Sequence, residues 1–180
     1  MVKRDSNPVI VKAYHGTDAK FKEFDLAFKG SNTGWDNCTH GIFFSDKINN
    51  AAMFGDRIIE AELTMRMSAD LRLEEIFSNE KQASVLAEII FGERLSNVKA
   101  LERLNEEIGL GELGEMWDSL NTSDANELLK QHGYDSIISD MGDSNVEFII
   151  FDTKQIQIIS EFSMQQRQVA KRAVRRGLHT

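Results

Sequence analysis

A chain of 180 residues with 41% hydrophobic and 28% charged content has room for one domain with a sizeable core, not for two, and its composition excludes wholesale disorder. A formal net charge of −8 argues against a surface that binds nucleic acid broadly, because phosphate contacts need Lys and Arg. The single cysteine, Cys38, cannot close an intramolecular disulfide and fits a reducing compartment, while the polar first eight residues and the lack of any run near 18 apolar residues point to a soluble cytoplasmic protein without a membrane segment.

Residues 9–14 are short and β-branched, and read as a strand ending at His15, with Gly16 permitting a tight turn. Residues 41–45 form a second short apolar run. Residues 49–54 read as a helix that carries Phe54. Ile59, Ala61, Leu63, Met65 and Met67 alternate within 57–67 as in a strand. From about 73 to 130 the apolar residues recur at helical spacing, with Val85, Leu86, Ile89 and Ile90 on one face and Val98, Leu101, Leu104 and Ile108 on another. Ser123 or Asp124 is the expected cap of the last helix in this block. Residues 136–138 and 146–151 return to strand character, and 155–159 read as a hairpin partner of the latter, with 152–154 as the turn. Strands, then helices, then strands predict an α+β fold with an antiparallel sheet. The domain runs over 1–162. Residues 163–180 form a basic tail or helix with five Lys and Arg and no acidic residue, which leaves −13 for the remainder.

Three places carry candidate chemistry. Glu147 interrupts the apolar run Val146-Glu147-Phe148-Ile149-Ile150-Phe151. A carboxylate there is costly to bury, so it either lines a cavity or guards a sheet edge. Strand alternation puts it with Ile149 and Phe151, opposite Val146, Phe148 and Ile150. Tyr14-His15-Gly16-Thr17 joins an imidazole to a residue without a side chain, where a ligand can approach the backbone. Phe43 and Phe54 are placed to sandwich a flat ring, or else to fill the core. Cys38, His40 and His15 are too few and too irregularly spaced for a structural zinc site, which takes four ligands, so no metal is expected. His132 reads as a helix C-terminal residue before Gly133.

Taken in order, six motifs resemble the ADP-ribosyltransferase superfamily: Tyr14-His15-Gly16-Thr17; Phe21-Lys22-Glu23-Phe24; Gly41-Ile42-Phe43-Phe44; Ala51-Ala52-Met53-Phe54-Gly55; Gly133-Tyr134-Asp135-Ser136-Ile137; and Glu147 to Asp152. Within its diphtheria-toxin and poly(ADP-ribose) polymerase branch they look most like the phage and mobile-element family ART-PolyVal, over about residues 10–158. The resemblance implies a split antiparallel β-sandwich around an NAD cleft, with the helical block of about 73–130 inserted. It implies NAD⁺ as a consumed substrate, and Glu147 as the catalytic carboxylate that stabilises oxocarbenium character at the ribose. His15 then anchors a ribose hydroxyl, the Gly16 backbone meets the nicotinamide amide, Thr17 shapes the turn beside the adenosine ribose, and Phe43 and Phe54 bracket nicotinamide. Transfer would go to a macromolecular acceptor, protein rather than nucleic acid, as for a phage or bacterial effector in the host cytoplasm. The alternatives are NAD⁺ glycohydrolysis with water as acceptor and a non-catalytic interaction module on the same fold. RNA 2′-phosphotransfer has no counterpart for its additional His and Arg. Phe43 stands where most relatives have Tyr, and Ala51 where the polymerases have Ser, which implies weaker NAD⁺ affinity rather than loss of activity. Asn145, two residues before Glu147, stands where arginine-directed transferases carry Glu or Gln, which argues against an arginine acceptor.

Overall fold

The computed structural model describes residues 7–28, 39–140 and 145–165; Cys38 and most of the basic tail lie outside them. The two longest alternating stretches, β1 (Val9–Thr17) and β3 (Arg57–Met65), pair antiparallel from Val9 opposite Met65 to Thr17 opposite Arg57. Around this ribbon β2 (Ile42–Ser45), β4 (Ser68–Asp70), β5 (Ser136–Asp140), β6 (Val146–Ile150) and β7 (Ile156–Ser163) complete a seven-stranded sheet in the order β4-β5-β6-β2-β1-β3-β7. The fold is α+β, but the sheet is mixed: β4 and β5 run parallel. Parallel neighbours need a long crossover. Five helices supply it: α2 (Leu73–Ile76), α3 (Glu80–Phe91), α4 (Asn97–Glu107), α5 (Leu113–Leu120) and α6 (Ser123–Gln131). A single helical turn, α1 (Ile48–Ala51), follows β2.

Alternation along the strands sends side chains to two differently covered faces. On one, which we call the aromatic face, Ala13, Ile42, Phe44, Ala61, Leu63, Met65 and Ile150 form a core with Phe24, Leu26 and Phe148 packed against it. On the other, the helical face, Ile137 and Ile149 pack under the helices through Leu86, Leu104, Met116, Leu120 and Leu129, with Phe43 at the margin. Of the expected helical stripes, Val85, Leu86 and Leu104 are buried in this core and Ile89, Ile90, Leu101 and Ile108 pack against it, whereas Val98 is exposed. Asp135 closes the block onto the sheet: its carboxylate accepts the N–H groups of Arg66 and Met67, just before β4.

Several local expectations change. His15, Gly16 and Thr17 lie within β1, because backbone pairing with β3 continues to Arg57. Phe54 sits three residues beyond a one-turn helix rather than in a longer one. Thr122, not Ser123 or Asp124, caps α6 by accepting the N–H of Ala125. The largest change concerns β7, which pairs with β3 at the far edge rather than forming a hairpin with β6. Asp152 and Gln155 form a capping box there, and a 3-10 turn over Thr153–Gln155 redirects the chain. Among the described residues no helix is long and apolar enough to cross a membrane.

Candidate active site around Glu147 and the gap between two strands

Strand β6 lies between β5 and β2. Glu147 is therefore in the interior of the sheet, and protection of a sheet edge does not explain it. Residues directly opposite one another on paired strands share a face. Tyr14 stands opposite Ser45, Ser45 opposite Glu147, and Glu147 opposite Ser139. These four form one polar row on the helical face. Glu147 is only 7% exposed. Burial pushes its carboxyl above the usual range; the Ser139 hydroxyl opposes that rise, and the charge of Asp140 adds to it. Ser139 Oγ donates to Glu147 Oε2 at 3.2 Å, while Oε1 accepts no hydrogen bond from the described residues. Asn145, two residues earlier, accepts a hydrogen bond from Lys47 Nζ at 2.8 Å.

Between β1 and β2 the sheet opens. The two strands share a single register pair, Tyr14 with Ser45. Beyond it, a side chain replaces the backbone ladder: His15 Nδ1 lies 2.7 Å from the carbonyl oxygen of Phe43. A carbonyl only accepts, so Nδ1 carries the proton and Nε2 presents its lone pair. Nε2 makes no hydrogen bond to the described residues. Desolvation is the main reason that the His15 imidazole titrates below its usual range, and the positive charge of Arg57 adds to it. Three phenylalanines surround the ring, with centroid distances of 5.1 Å to Phe24, 5.6 Å to Phe44 and 6.4 Å to Phe21.

Arg57 fastens this aromatic wall. From the start of β3 it pairs with Glu161, donates to the carbonyls of Ala19 and Phe21 at 2.6 and 2.7 Å, and lies 4.8 Å from the Phe21 ring centroid. It thereby ties the loop after β1 to the two edge-ward strands.

His15 and Glu147 leave the sheet on opposite faces. Gly16, Phe43 and Glu147 share the helical face, where α1 also lies. A Cβ on Gly16 would fall 1.7 Å from the Ala51 carbonyl oxygen, and one on Gly55 would fall 2.2 Å from the Thr17 backbone. The close approach that Gly16 permits is thus filled by α1 itself. The Ala51 carbonyl also accepts the Phe54 N–H at 3.0 Å, which ties Phe54 to the end of α1. Neither Phe43 nor Phe54 contacts another aromatic ring among the described residues. Thr17 is fully buried, and its hydroxyl accepts the N–H of Ala19, holding the turn after β1. The motif Phe21-Lys22-Glu23-Phe24 has a direct structural reason, since both rings pack around His15.

The other two described histidines, His40 and His132, are committed elsewhere. His40 is buried, with Nε2 bonded to the Leu120 carbonyl and Nδ1 to the Asn126 side chain. His132 follows α6 as its C-cap and meets Glu88. Among the described residues no group of three or more His, Cys, Asp or Glu is arranged to hold a metal. Sequence reasoning missed Ser139, Ser45 and Arg57. For the serines the only signal is strand register, which a single sequence does not display; for Arg57 it is a cation two residues after the glycine that packs on Thr17.

A family profile described as ADP-ribosyltransferase in polyvalent proteins, ART-PolyVal, matches residues 5–165. No curated protein matches the chain. A solved chain described as an anti-CRISPR protein is similar at 11% identity and a TM-score of 0.46, covering 83% of this chain and 96% of that one. With the match spanning most of its length, the chain belongs to the ART-PolyVal family of ADP-ribosyltransferases.

Proposed function

We propose that this chain is a mono-ADP-ribosyltransferase that cleaves the nicotinamide–ribose bond of NAD⁺ and passes ADP-ribose to a macromolecular acceptor, a protein rather than a nucleic acid. The observation that carries the reading is Glu147: a buried carboxylate in an interior strand, on the same face as Gly16, Phe43 and α1, with one oxygen held and the other without a hydrogen bond among the described residues. A catalytic carboxylate has reason to bear that desolvation; a structural one would be paired.

The donor set fits NAD⁺. The open lone pair of His15 Nε2 accepts from a ribose hydroxyl, and Glu147 Oε1 accepts from a hydroxyl of the other ribose. The gap between β1 and β2 lets a dinucleotide engage residues of both faces. Phe43 and Phe54 hold the nicotinamide ring, whose positive charge before cleavage favours an aromatic face. Ionised Glu147 stabilises the positive charge that develops on the ribose as the bond breaks and nicotinamide leaves with the bonding pair. The acceptor then attacks the opposite side of that carbon and gives up its proton. In this reading the protein acts as a phage or bacterial effector in the host cytoplasm.

The test is incubation with labelled NAD⁺ and a lysate, using wild type and Glu147→Gln. Wild type consumes NAD⁺ and labels a macromolecule, and the variant is slower by at least about a hundredfold. Failure of wild type to consume NAD⁺ or to label anything removes the enzymatic reading. Consumption that yields only free ADP-ribose replaces transfer by hydrolysis.

A further inference from the structure

We propose that Ser139 is a positioning residue for Glu147: its hydroxyl holds Oε2, so that Oε1 alone faces the substrate and the carboxyl stays ionised inside the sheet. The proposal rests on the reading of Glu147 as the catalytic carboxylate, and adds a residue on a strand that the sequence motifs leave without a role in the chemistry.

The geometry carries it. Ser139 and Glu147 are direct partners in the β5–β6 register, with Oγ 3.2 Å from Oε2. Direct cross-strand partners have Cβ atoms about 4.5–5.5 Å apart, so a serine reaches a glutamate there without straining either rotamer. On the other side of Glu147 stands Ser45, also buried, with no hydrogen bond to the carboxylate. Among the described residues the carboxylate is thus held from one side only, which fixes which oxygen is presented. The charged and titratable groups around it offer little alternative support. Asp140, next to Ser139 on β5, raises the carboxyl further. Asp46, after β2, is used by the Val146 N–H, Lys47 is bonded to Asn145, and Tyr14 on β1 lies a strand beyond Ser45. Among the groups that shift the carboxyl, the Ser139 hydroxyl is the one that favours its charged form.

The sign follows. Removing a hydrogen bond to the charged form raises an acid's pKa further. One neutral donor to a carboxylate corresponds to about half a unit to one unit. In Ser139→Ala, the Glu147 carboxyl, followed by carbon NMR of the full chain with labelled glutamate and assigned through Glu147→Gln, should titrate higher than in wild type by about that amount. Ser139→Thr, which keeps the hydroxyl and suits a strand, should restore the wild-type value. Ser45→Ala is the control for altered packing beside the same carboxylate and should leave the titration close to wild type. The acid limb of NAD⁺ cleavage should move to higher pH in Ser139→Ala and return in Ser139→Thr.

A folded Ser139→Ala whose Glu147 titrates with wild type overturns the proposal, and so does an equal shift in Ser45→Ala. If Ser139→Ala does not fold, the decision passes to Ser139→Thr and Ser139→Cys: titration at the wild-type value in the first and above it in the second supports the hydroxyl, and identical values overturn it. Absence of NAD⁺ cleavage in wild type sinks the proposed function instead, and the titrations still decide whether Ser139 holds Glu147.

Discussion

His15 and Glu147 meet the same physical force with opposite consequences. Each is shielded from water, and burial is the largest influence on each; it moves the imidazole down and the carboxyl up, so that both are pushed toward the uncharged form. For His15 this is what the geometry asks for. A neutral ring, with Nδ1 given to Phe43, keeps Nε2 as an acceptor, and three phenylalanines reinforce that state. In the proposed reaction it is a conflict for Glu147, because a neutral carboxyl cannot stabilise a developing positive charge, and the Ser139 hydroxyl leans the other way. One enclosure thus suits a hydrogen-bond acceptor and taxes a charge, and the sheet provides a hydroxyl where the second need arises.

The largest effect that breaks the comparison is Glu147→Gln. Beyond the loss of activity expected from the proposed function, the variant should unfold at a higher temperature than wild type at neutral pH. The folded carboxyl keeps its proton at pH values where the unfolded chain has lost it, so wild-type stability falls as pH rises from the ordinary 4.5 through the raised value. The advantage of the variant should therefore vanish in acid, below that window. Melting curves across pH test this, and a variant less stable than wild type at neutral pH contradicts it. His15 has the reverse slope. Its folded pKa is depressed, so the unfolded chain binds the proton first, and stability is lost as pH falls from the ordinary 6.5 through the depressed value.

Gly16→Ala strikes the link between the two regions. A methyl group 1.7 Å from the Ala51 carbonyl must displace α1 from β1, and should cost about 3 kcal/mol in chemical denaturation. It should also weaken NAD⁺ binding, because Phe54 moves with α1; full affinity in a folded variant would remove α1 from the site. Arg57→Gln sharpens the His15 side alone. Losing the bonds to the Ala19 and Phe21 carbonyls should cost about 1–2 kcal/mol. With the positive charge gone, the His15 imidazole should titrate closer to its ordinary value, while Glu147 stays where it is. NMR titration of both groups in one sample decides this. The smallest effect belongs to Thr122→Ala, which removes the cap of α6 and should cost about 1 kcal/mol without moving either titration. A shift of Glu147 in that variant would mean that the helical block tunes the carboxylate directly.

How much of this was legible beforehand depends on the range of the interaction. The alternation of Ile59, Ala61, Leu63 and Met65 states the strand and its buried face in nearby residues, and the structure buries all four, while Met67 lies beyond the end of β3 and is exposed. The partition of Val146 to Phe151 likewise follows from period two alone, and Ile149 and Phe151 do join the helical core. The end of β1 is not legible locally, because Gly16 looks like a turn residue by itself; nothing nearby reveals that β3 continues to pair with it. The partner of β7 is hidden for the same reason, since a short polar segment after an apolar strand resembles a hairpin turn until another edge is known to be free.

The sequence by itself determined the family, the α+β order of elements, and the identity of the carboxylate, the imidazole and the two phenylalanines put forward for the site, because these are written as residue types in local patterns. Only the tertiary structure decided that Glu147 stands in an interior strand, that it and His15 leave the sheet on opposite faces, and that Ser139 and Arg57 attend them. Those facts depend on strand register and on residues brought together from 8 to 104 positions apart. Register is chosen by burial summed over a whole sheet, so no short stretch of sequence contains it.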